Sequence, residues 1–292
     1  MHMTKSSSLA NDPMNTNTPG KVYLVGAGPG AVDLITVRGA KLLAQADIVF
    51  YDALVDAQML DLCPQAEKIA VGKRCGKLSS AQQFINKRLV DAAQKHQIVV
   101  RLNGGDPMLF GRADEELATL KQAGIEVEVV PGITAALAGA ASIQQSLTLR
   151  GVSRSVAFIT LAQASEGTEN INPNQPISNP SADTLVYYMG RKDAAKIAQQ
   201  LIAQGKNHAE DTPVKILEAV STSKERQWKS NLGSLAQGKA DNWFDSNSPA
   251  LIMVGEALRS KQSTTTESQS FSTEVDDGLQ DGKILTNSRR RA

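Results

Sequence analysis

Two glycines and an acid follow a run of β-branched residues in the first half of the chain. Residues 98–100 are apolar and predict a buried strand. The glycines at 104 and 105 let a ligand approach the main chain closely, and Asp106 offers acceptor oxygens to a hydroxyl or an amine. The stretch fits a ligand-binding turn at the end of a parallel strand, and it fits equally a tight turn that carries a solvated aspartate.

Three other predicted strands in this half are also followed directly by residues that could do chemistry. These are the glycine-rich loop 26–30, Asp52 and Lys73. Taken singly, Asp52 is a turn residue and Lys73 belongs to a basic surface loop. The alternation of strands and helices predicts parallel pairing with right-handed crossovers, which brings the carboxyl ends of the strands to one edge. We therefore expect these residues to converge with Asp106 at a binding site.

The glycine-rich loop satisfies a dinucleotide-binding pattern only loosely. Gly26, Gly28 and Ala31 match the spacing G-x-G-x-x-G/A. Helical periodicity, however, begins only near Thr36, whereas a pyrophosphate site needs a helix N-terminus directly on the turn. The loop therefore favours a ligand without a pyrophosphate, and a nicotinamide-dependent oxidoreductase remains the alternative from another class of protein.

The second half predicts a mixed α/β domain, with a ligand cleft between it and the first. Residues 131–136 turn into an alanine-rich helix, whose small side chains suit close packing either under a ligand or against another helix. The expected elements are strands at 155–161, 184–188, 214–219 and 250–254, a helix at 193–204, and an edge strand at 227–229.

Composition narrows the class of protein. A net charge of +1 over 292 residues gives no field that would attract nucleic acid or a membrane surface. Two cysteines and three histidines without ligand spacing predict neither a disulfide framework nor a metal centre, and they fit a reducing, cytoplasmic setting. The expected organisation is a disordered tail (1–19), an N-terminal α/β domain with a parallel sheet (20–133), a C-terminal α/β domain with a mixed sheet (134–259) and a disordered polar tail (260–292).

Seven short motifs occur together and in order. They are Gly26-Ala-Gly-Pro-Gly30, Tyr51-Asp52-x-Leu-Val55, Val71-Gly-Lys-Arg-x-Gly76, Arg101-Leu-x-Gly-Gly-Asp-Pro107, Phe110-Gly-Arg112, Val130-Pro-Gly-Ile-Thr134 and Tyr188-Met-Gly190. With these motifs, residues 20–258 resemble the tetrapyrrole methylase family, in the branch that methylates uroporphyrinogen III.

The resemblance implies an enzyme that binds S-adenosylmethionine between two α/β domains and needs no metal. It implies a homodimer that methylates C2 and C7 of uroporphyrinogen III to give precorrin-2, through precorrin-1, for siroheme and cobalamin. Acid/base roles would fall to Asp52 and Lys73. Residues that would contact the cofactor are Pro29, Gly104, Gly105, Asp106, Leu109, Thr134, Ala135, Met189, Val220 and Ala250.

Three positions depart from the pattern of that family. Asn103 stands where a lysine or arginine is usual, Leu149 where histidine is frequent, and Val220 where glycine or alanine is usual.

The chain resembles the stand-alone methylase, not a fusion with a dehydrogenase and ferrochelatase module. The alternatives within the fold are a relative with another substrate and a binding module without turnover. Candidates to bind the substrate's carboxylates are Arg38, Arg74, Arg112, Arg150 and Arg154.

Overall fold

The computed structural model describes residues 18–71, 78–161, 180–205 and 208–260, with only the backbone of residues 78–81. The two expected tails lie outside the described residues except at their inner ends, and so does most of the long loop 163–183.

The first sheet is entirely parallel, as the alternation of strands and helices predicted. Its strand order is β3-β2-β4-β1-β5. The strands are β1 (Lys21–Gly26), β2 (Ile48–Tyr51), β3 (Glu67–Ala70), β4 (Ile98–Asn103) and β5 (Val127–Val130), and the helices are α1 (Val37–Gln45), α2 (Leu78–Ala93) and α3 (Ala113–Gln122).

Strand β4 lies at the centre of this sheet and is buried on both faces. Val99, Val100 and Leu102 have no exposed surface. One core, which includes Val99, packs under α2 and α3, and the other, which includes Val100 and Leu102, packs under α1. Because helices cover both faces, the strand begins with three consecutive apolar residues, 98–100, and does not alternate between apolar and polar there.

The second sheet is mixed, with strand order β6-β7-β10-β8-β9. The first pair is parallel and the other three are antiparallel. The strands are β6 (Val156–Thr160), β7 (Thr184–Tyr188), β8 (Pro213–Glu218), β9 (Arg226–Asn231) and β10 (Ala250–Gly255), and the helices are α4 (Ala135–Ser142), α5 (Ala194–Gln204) and α6 (Leu232–Ala236). The predicted edge strand 227–229 lies within β9, at the edge of the sheet.

The distance in sequence between the glycine-rich loop and α1 is confirmed. A short 3-10 turn, Val32–Leu34, follows the loop, and α1 begins only at Val37. The Thr36 hydroxyl caps the helix by accepting a hydrogen bond from the Gly39 amide at 3.1 Å. The N-terminus of α1 is therefore separated from the loop, which argues against a dinucleotide pyrophosphate at this turn.

In the part of the chain that the structure describes, no helix is both long enough and apolar enough to cross a membrane. The same residues contain no cluster of three metal-ligating side chains.

Candidate functional site

The glycine-rich loop and the turn after β4 are joined through their main chains. The Gly28 amide donates to the Gly105 carbonyl at 3.1 Å, and the Gly105 amide donates to the Gly28 carbonyl at 2.7 Å. Both glycines have positive φ, 80° and 71°, which side-chain-bearing residues rarely adopt. The loop that contains Pro29 and the turn that contains Gly104 and Gly105 therefore form one rigid unit.

A third glycine, Gly132, packs against this unit from the segment that leads to the second sheet. A Cβ added to Gly26 would lie 2.5 Å from the Gly132 Cα atom and 2.7 Å from the Gly105 carbonyl oxygen. By contrast, a Cβ added to Gly105 would meet nothing within 4 Å. The glycines thus pack tightly on one side, while the Gly105 turn faces open space on the other.

Asp106 fixes the turn by accepting two backbone hydrogen bonds. Its Oδ1 atom accepts from the Met108 amide at 2.8 Å, and its Oδ2 atom accepts from the Gly132 amide at 2.8 Å. Leu109 continues this turn, since its amide donates to the Asp106 carbonyl at 3.3 Å. Each carboxylate oxygen keeps acceptor capacity for a ligand hydroxyl or amine.

Asp52 contacts the same turn from the end of β2. Its Oδ2 atom accepts a hydrogen bond from the Gly104 amide at 3.0 Å, and its Oδ1 atom accepts from the Leu54 amide at 2.8 Å. The structure therefore brings Asp52 to the glycine turn, as expected from the parallel sheet. Lys73 and Arg74, which the sequence placed beside them, lie outside the described residues.

Asn103 precedes the glycines and is 3% exposed. With its amide oriented toward the guanidinium, Asn103 Oδ1 accepts from Arg101 Nη2 and Nδ2 donates to the Arg101 carbonyl, each at 3.3 Å. Arg101 in turn donates through Nε to Glu116 Oε1 at 3.1 Å, and this pair is 6% and 0% exposed in its side chains. A buried ion pair therefore anchors the end of β4 to α3.

Tyr188 connects the second sheet to the start of α4. Its hydroxyl accepts a hydrogen bond from the Ala136 amide at 3.2 Å and shares a hydrogen bond of 2.5 Å with the Thr134 hydroxyl. Its ring also packs edge-on against Phe110, with centroids 5.2 Å apart. Burial raises the pKa of Tyr188, although the bonds from Thr134 and Ala136 act in the opposite direction, so the phenol remains protonated at neutral pH.

The backbone is strained directly after two strands of the second sheet, β7 and β8. Met189, directly after β7, has φ 55°, and Ala219 and Ser221, after β8, have φ 49° and 60°. A non-glycine residue with left-handed backbone angles is strained, and such residues cluster at functional sites. Val220 lies between two of them, and the Ala219 amide donates to the Pro249 carbonyl at 3.0 Å, next to Ala250.

The loop after β8 reaches across to the glycine-rich loop of the first sheet. A Cβ added to Gly30 would lie 3.0 Å from the Val220 carbonyl oxygen, and the Ala31 amide donates to the Ser221 hydroxyl at 3.1 Å. Loops from the two sheets therefore meet at Gly30 and Val220, as well as at Thr134 and Tyr188. Apart from Ala135, which begins α4, the described site residues of the prediction therefore lie at strand ends and in the turns beside these contacts.

Exposed apolar side chains surround this junction and form what we call the apolar rim: Leu54, Met108, Phe110 and Met189. Their exposed fractions are 59%, 60%, 39% and 55%. Exposed apolar side chains grouped in this way are typical of binding surfaces.

The arginines proposed for substrate carboxylates are not equivalent. Arg38 lies on α1 and contacts Glu128 Oε1 at 3.4 Å, and Arg112 forms a bidentate pair with Glu115, at 2.6 and 2.8 Å. Both guanidinium groups already have a carboxylate neighbour. Arg150 is exposed, and so is Arg154, whose backbone amide donates to Asp183 Oδ2.

Sequence reasoning missed the roles of Tyr188 and Ser221. The motif Tyr188-Met-Gly190 contained the signal for the tyrosine, since Tyr188 is the last residue of a buried strand. Ser221 lies in a polar loop without periodicity, and its partner Ala31 is 190 positions away, so no local pattern could have revealed the contact.

The turn after β4 leaves room for a ligand beside its main chain. A Cβ added to Gly105 would meet nothing within 4 Å, and Met189 and Ser221 have positive φ just after two strands of the second sheet. The carboxylate of Asp106 suits hydroxyl and ammonium groups.

Comparison with known proteins places these features in a family. The family model described as Tetrapyrrole (Corrin/Porphyrin) Methylases matches residues 21–236. The chain is 41% identical over 244 residues to a uroporphyrinogen-III C-methyltransferase of Pseudomonas aeruginosa, covering 82% of this chain and 95% of the relative. It is 44% identical to a siroheme synthase of Pseudomonas fluorescens, but it spans only 50% of that protein's length.

A solved structure gives the same result. The uroporphyrin-III C-methyl transferase of Thermus thermophilus, complexed with S-adenyl homocysteine, superposes with a TM-score of 0.68 at 38% identity and covers 82% of this chain and 94% of that one. Matching sequence over most of the chain and matching fold over the same region lead to one conclusion: the chain belongs to the tetrapyrrole methylase family.

Proposed function

We propose that this chain is an S-adenosylmethionine-dependent C-methyltransferase that methylates uroporphyrinogen III at C2 and C7 and forms precorrin-2. The observation that carries this proposal is the junction itself. Main-chain bonds join Gly28 to Gly105, and further contacts join Gly30 to Val220 and Thr134 to Tyr188, so loops from both sheets meet around the glycine turn. The relatives named above support the choice of substrate.

Within this proposal, the turn after β4 and the loops of the second sheet hold the methyl donor. Gly104 and Gly105 border it without side chains, and Asp106 accepts hydrogen bonds from its hydroxyl or ammonium groups. Pro29, Leu109 and Thr134 line the same space, together with Ala135, Met189, Val220 and Ala250. When bound, S-adenosylmethionine supplies an electrophilic methyl group on a sulfonium.

The chain's own contribution to the reaction is mainly positioning. The apolar rim supports the face of the macrocycle, and the glycine turn sets the distance between the two reactants, which is enough to supply much of the rate for an electron-rich pyrrole carbon. Asp52 is held by the Gly104 and Leu54 amides and keeps acceptor capacity on both oxygens, which supports its assignment as the group that takes the proton released by the ring after methylation. We assign Lys73 an electrostatic role toward a substrate carboxylate.

Three finer features belong to the same proposal. The product would supply siroheme or cobalamin synthesis, the enzyme would act as a homodimer, and it would work in the cytoplasm, where two cysteines stay reduced. Light scattering at several concentrations measures the assembly, and a molar mass of one chain would argue against the dimer.

Incubation of the purified chain with uroporphyrinogen III and S-adenosylmethionine carrying a labelled methyl group tests the function. We expect two labelled methyl groups on the product, detected by mass spectrometry. A single methyl group, or labelling of another tetrapyrrole in preference, would identify a relative with a different substrate. Binding of S-adenosylhomocysteine without turnover would identify a binding module, and binding of NAD instead would favour the oxidoreductase.

A further inference from the structure

We propose that Ser221 is a positioning residue that joins the two loops bordering the methyl donor; this inference rests on the proposed function. The Ser221 hydroxyl accepts a hydrogen bond from the Ala31 amide at 3.1 Å, and the two residues are 190 positions apart. Ala31 follows the loop that contains Pro29, and Ser221 follows Val220. The bond therefore ties a loop of the first sheet to a loop of the second.

The loop of Ser221 is held firmly on its own side. The Ser221 amide donates to Glu225 Oε2 at 2.6 Å, and Glu225 Oε1 accepts a hydrogen bond from the Ser142 hydroxyl at the end of α4. The Thr222 hydroxyl donates to the Ala219 carbonyl at 2.8 Å. These contacts keep Ala219 and Ser221 at positive φ, so the hydroxyl is presented to the first sheet in one orientation.

The opposite loop is shaped to receive it. A Cβ added to Gly30 would lie 2.6 Å from Thr222 Cγ2 and 3.2 Å from Ser221 Oγ, so the glycine permits the close approach. Ala31 has φ −61° and ψ 133°, an extended conformation that points its amide at the serine. Both loops are therefore preorganised for this contact.

The bond between Ser221 and Ala31 affects binding of the methyl donor because the two loops contain residues assigned to the donor. Pro29 and Val220 are assigned to the donor and lie two and one positions from the two ends of the hydrogen bond. Without the Ser221 hydroxyl the two loops lose a fixed spacing, and donor binding must then supply the ordering free energy. Ser221 acts through the loops and need not touch the reacting atoms.

The test compares variants of the full chain by calorimetric titration with S-adenosylhomocysteine. Ser221→Gly removes the hydroxyl and relieves the positive φ, and Ala31→Pro removes the donor amide at a φ that proline adopts. We expect each to weaken binding about 5- to 10-fold, as one hydrogen bond accounts for. The double variant is expected to lose little more than either single one, because both remove the same bond.

Ser223→Ala, on the same loop and exposed, is the matched control and is expected to bind as the unaltered chain does. Steady-state kinetics should show a raised KM for the donor with kcat nearly unchanged, and the melting temperature without ligand should be unaltered, which a merely structural role would not give. Equal affinity of Ser221→Gly and the unaltered chain would overturn the positioning role alone. Absence of binding by the unaltered chain would instead overturn the proposed function, and the role with it.

Discussion

Asp106 and Gly132 are joined by a hydrogen bond of 2.8 Å, from the Gly132 amide to Asp106 Oδ2. The aspartate lies in the turn after the first sheet's central strand, β4, and the glycine lies in the segment that leads to the second sheet. One carboxylate thus fixes the path of the chain between the two sheets and also borders the space assigned to the donor. Its two functions are coupled, because a ligand bound to Asp106 meets a group that the protein already holds in place.

Replacement of Asp106 by alanine is expected to weaken S-adenosylhomocysteine binding more than about 10-fold, since a charged acceptor and the fixed turn are lost together. Asp52→Ala removes the contact to Gly104 but is assigned to proton transfer, so we expect less than about a 3-fold change in affinity and a large loss of kcat. Calorimetric titration and steady-state assays on both variants check this division. Equal affinities in the two variants would contradict it.

Gly132→Ala is expected to destabilise the protein by about 1–3 kcal/mol, because the new Cβ would overlap the Gly105 carbonyl and lie 2.8 Å from the Gly26 Cα atom. Gly205→Ala is the control. Gly205 has φ 65°, and its Cβ would meet nothing within 4 Å, so only the cost of a left-handed alanine of about 1 kcal/mol applies. Urea unfolding measures both, and a smaller loss for Gly132→Ala than for Gly205→Ala would show that the packing of the glycines is not tight.

Glu116→Ala is expected to cost about 3–5 kcal/mol of unfolding free energy, because the Arg101 guanidinium would be left buried without its carboxylate. The neighbouring exposed pair gives the control. Glu115→Ala breaks the contact with Arg112, in which the side chains are 42% and 39% exposed, and should cost less than about 1 kcal/mol. Chemical denaturation followed by circular dichroism compares the two, and similar losses would argue against a buried role for Glu116.

The stability of the protein is expected to fall as the pH drops below about 6.5 because of His208. Burial lowers the pKa of His208, although Glu256 and Asp183 act weakly in the opposite direction, and its buried Nδ1 atom has no hydrogen-bond partner among the described residues. The unfolded chain then binds a proton that the folded chain does not, so acid favours unfolding.

His208→Gln should therefore reduce the loss of unfolding free energy between pH 7 and pH 5, measured by urea denaturation at each pH. An unchanged slope in His208→Gln would show that another group controls the acid response.

The architecture followed from sequence because strand and helix signals alternate strongly. The apolar run 98–100 predicted a buried strand, the alternation predicted a parallel sheet, and the late helix start near Thr36 indicated that the first loop does not fit a pyrophosphate. The order of strands did not follow, since pairing β1 with both β4 and β5 is decided by packing of distant segments. The boundary between residues 133 and 134 remains a proposal, drawn from the turn before α4.

The site was predictable only in part, for a physical reason. Asp52 and Asp106 follow strands, and strand ends of a parallel sheet converge, so their proximity could be expected. Contacts made by loops of the second sheet, such as Ser221 with Ala31, depend on how two separate sheets are placed, which local sequence does not encode. Lys73 lies outside the described residues, and its role stays a prediction.

The reciprocal pairing of Gly28 with Gly105 has a consequence for redesigning what the enzyme accepts. Because peptide groups join Gly28 to Gly105, this pairing does not depend on the side chains of the apolar rim. A combinatorial library at Leu54, Met108 and Phe110 would therefore vary the proposed acceptor surface while the paired glycine turns stay intact, and screening such a library against unnatural macrocycles becomes a practical route to new alkylation catalysts.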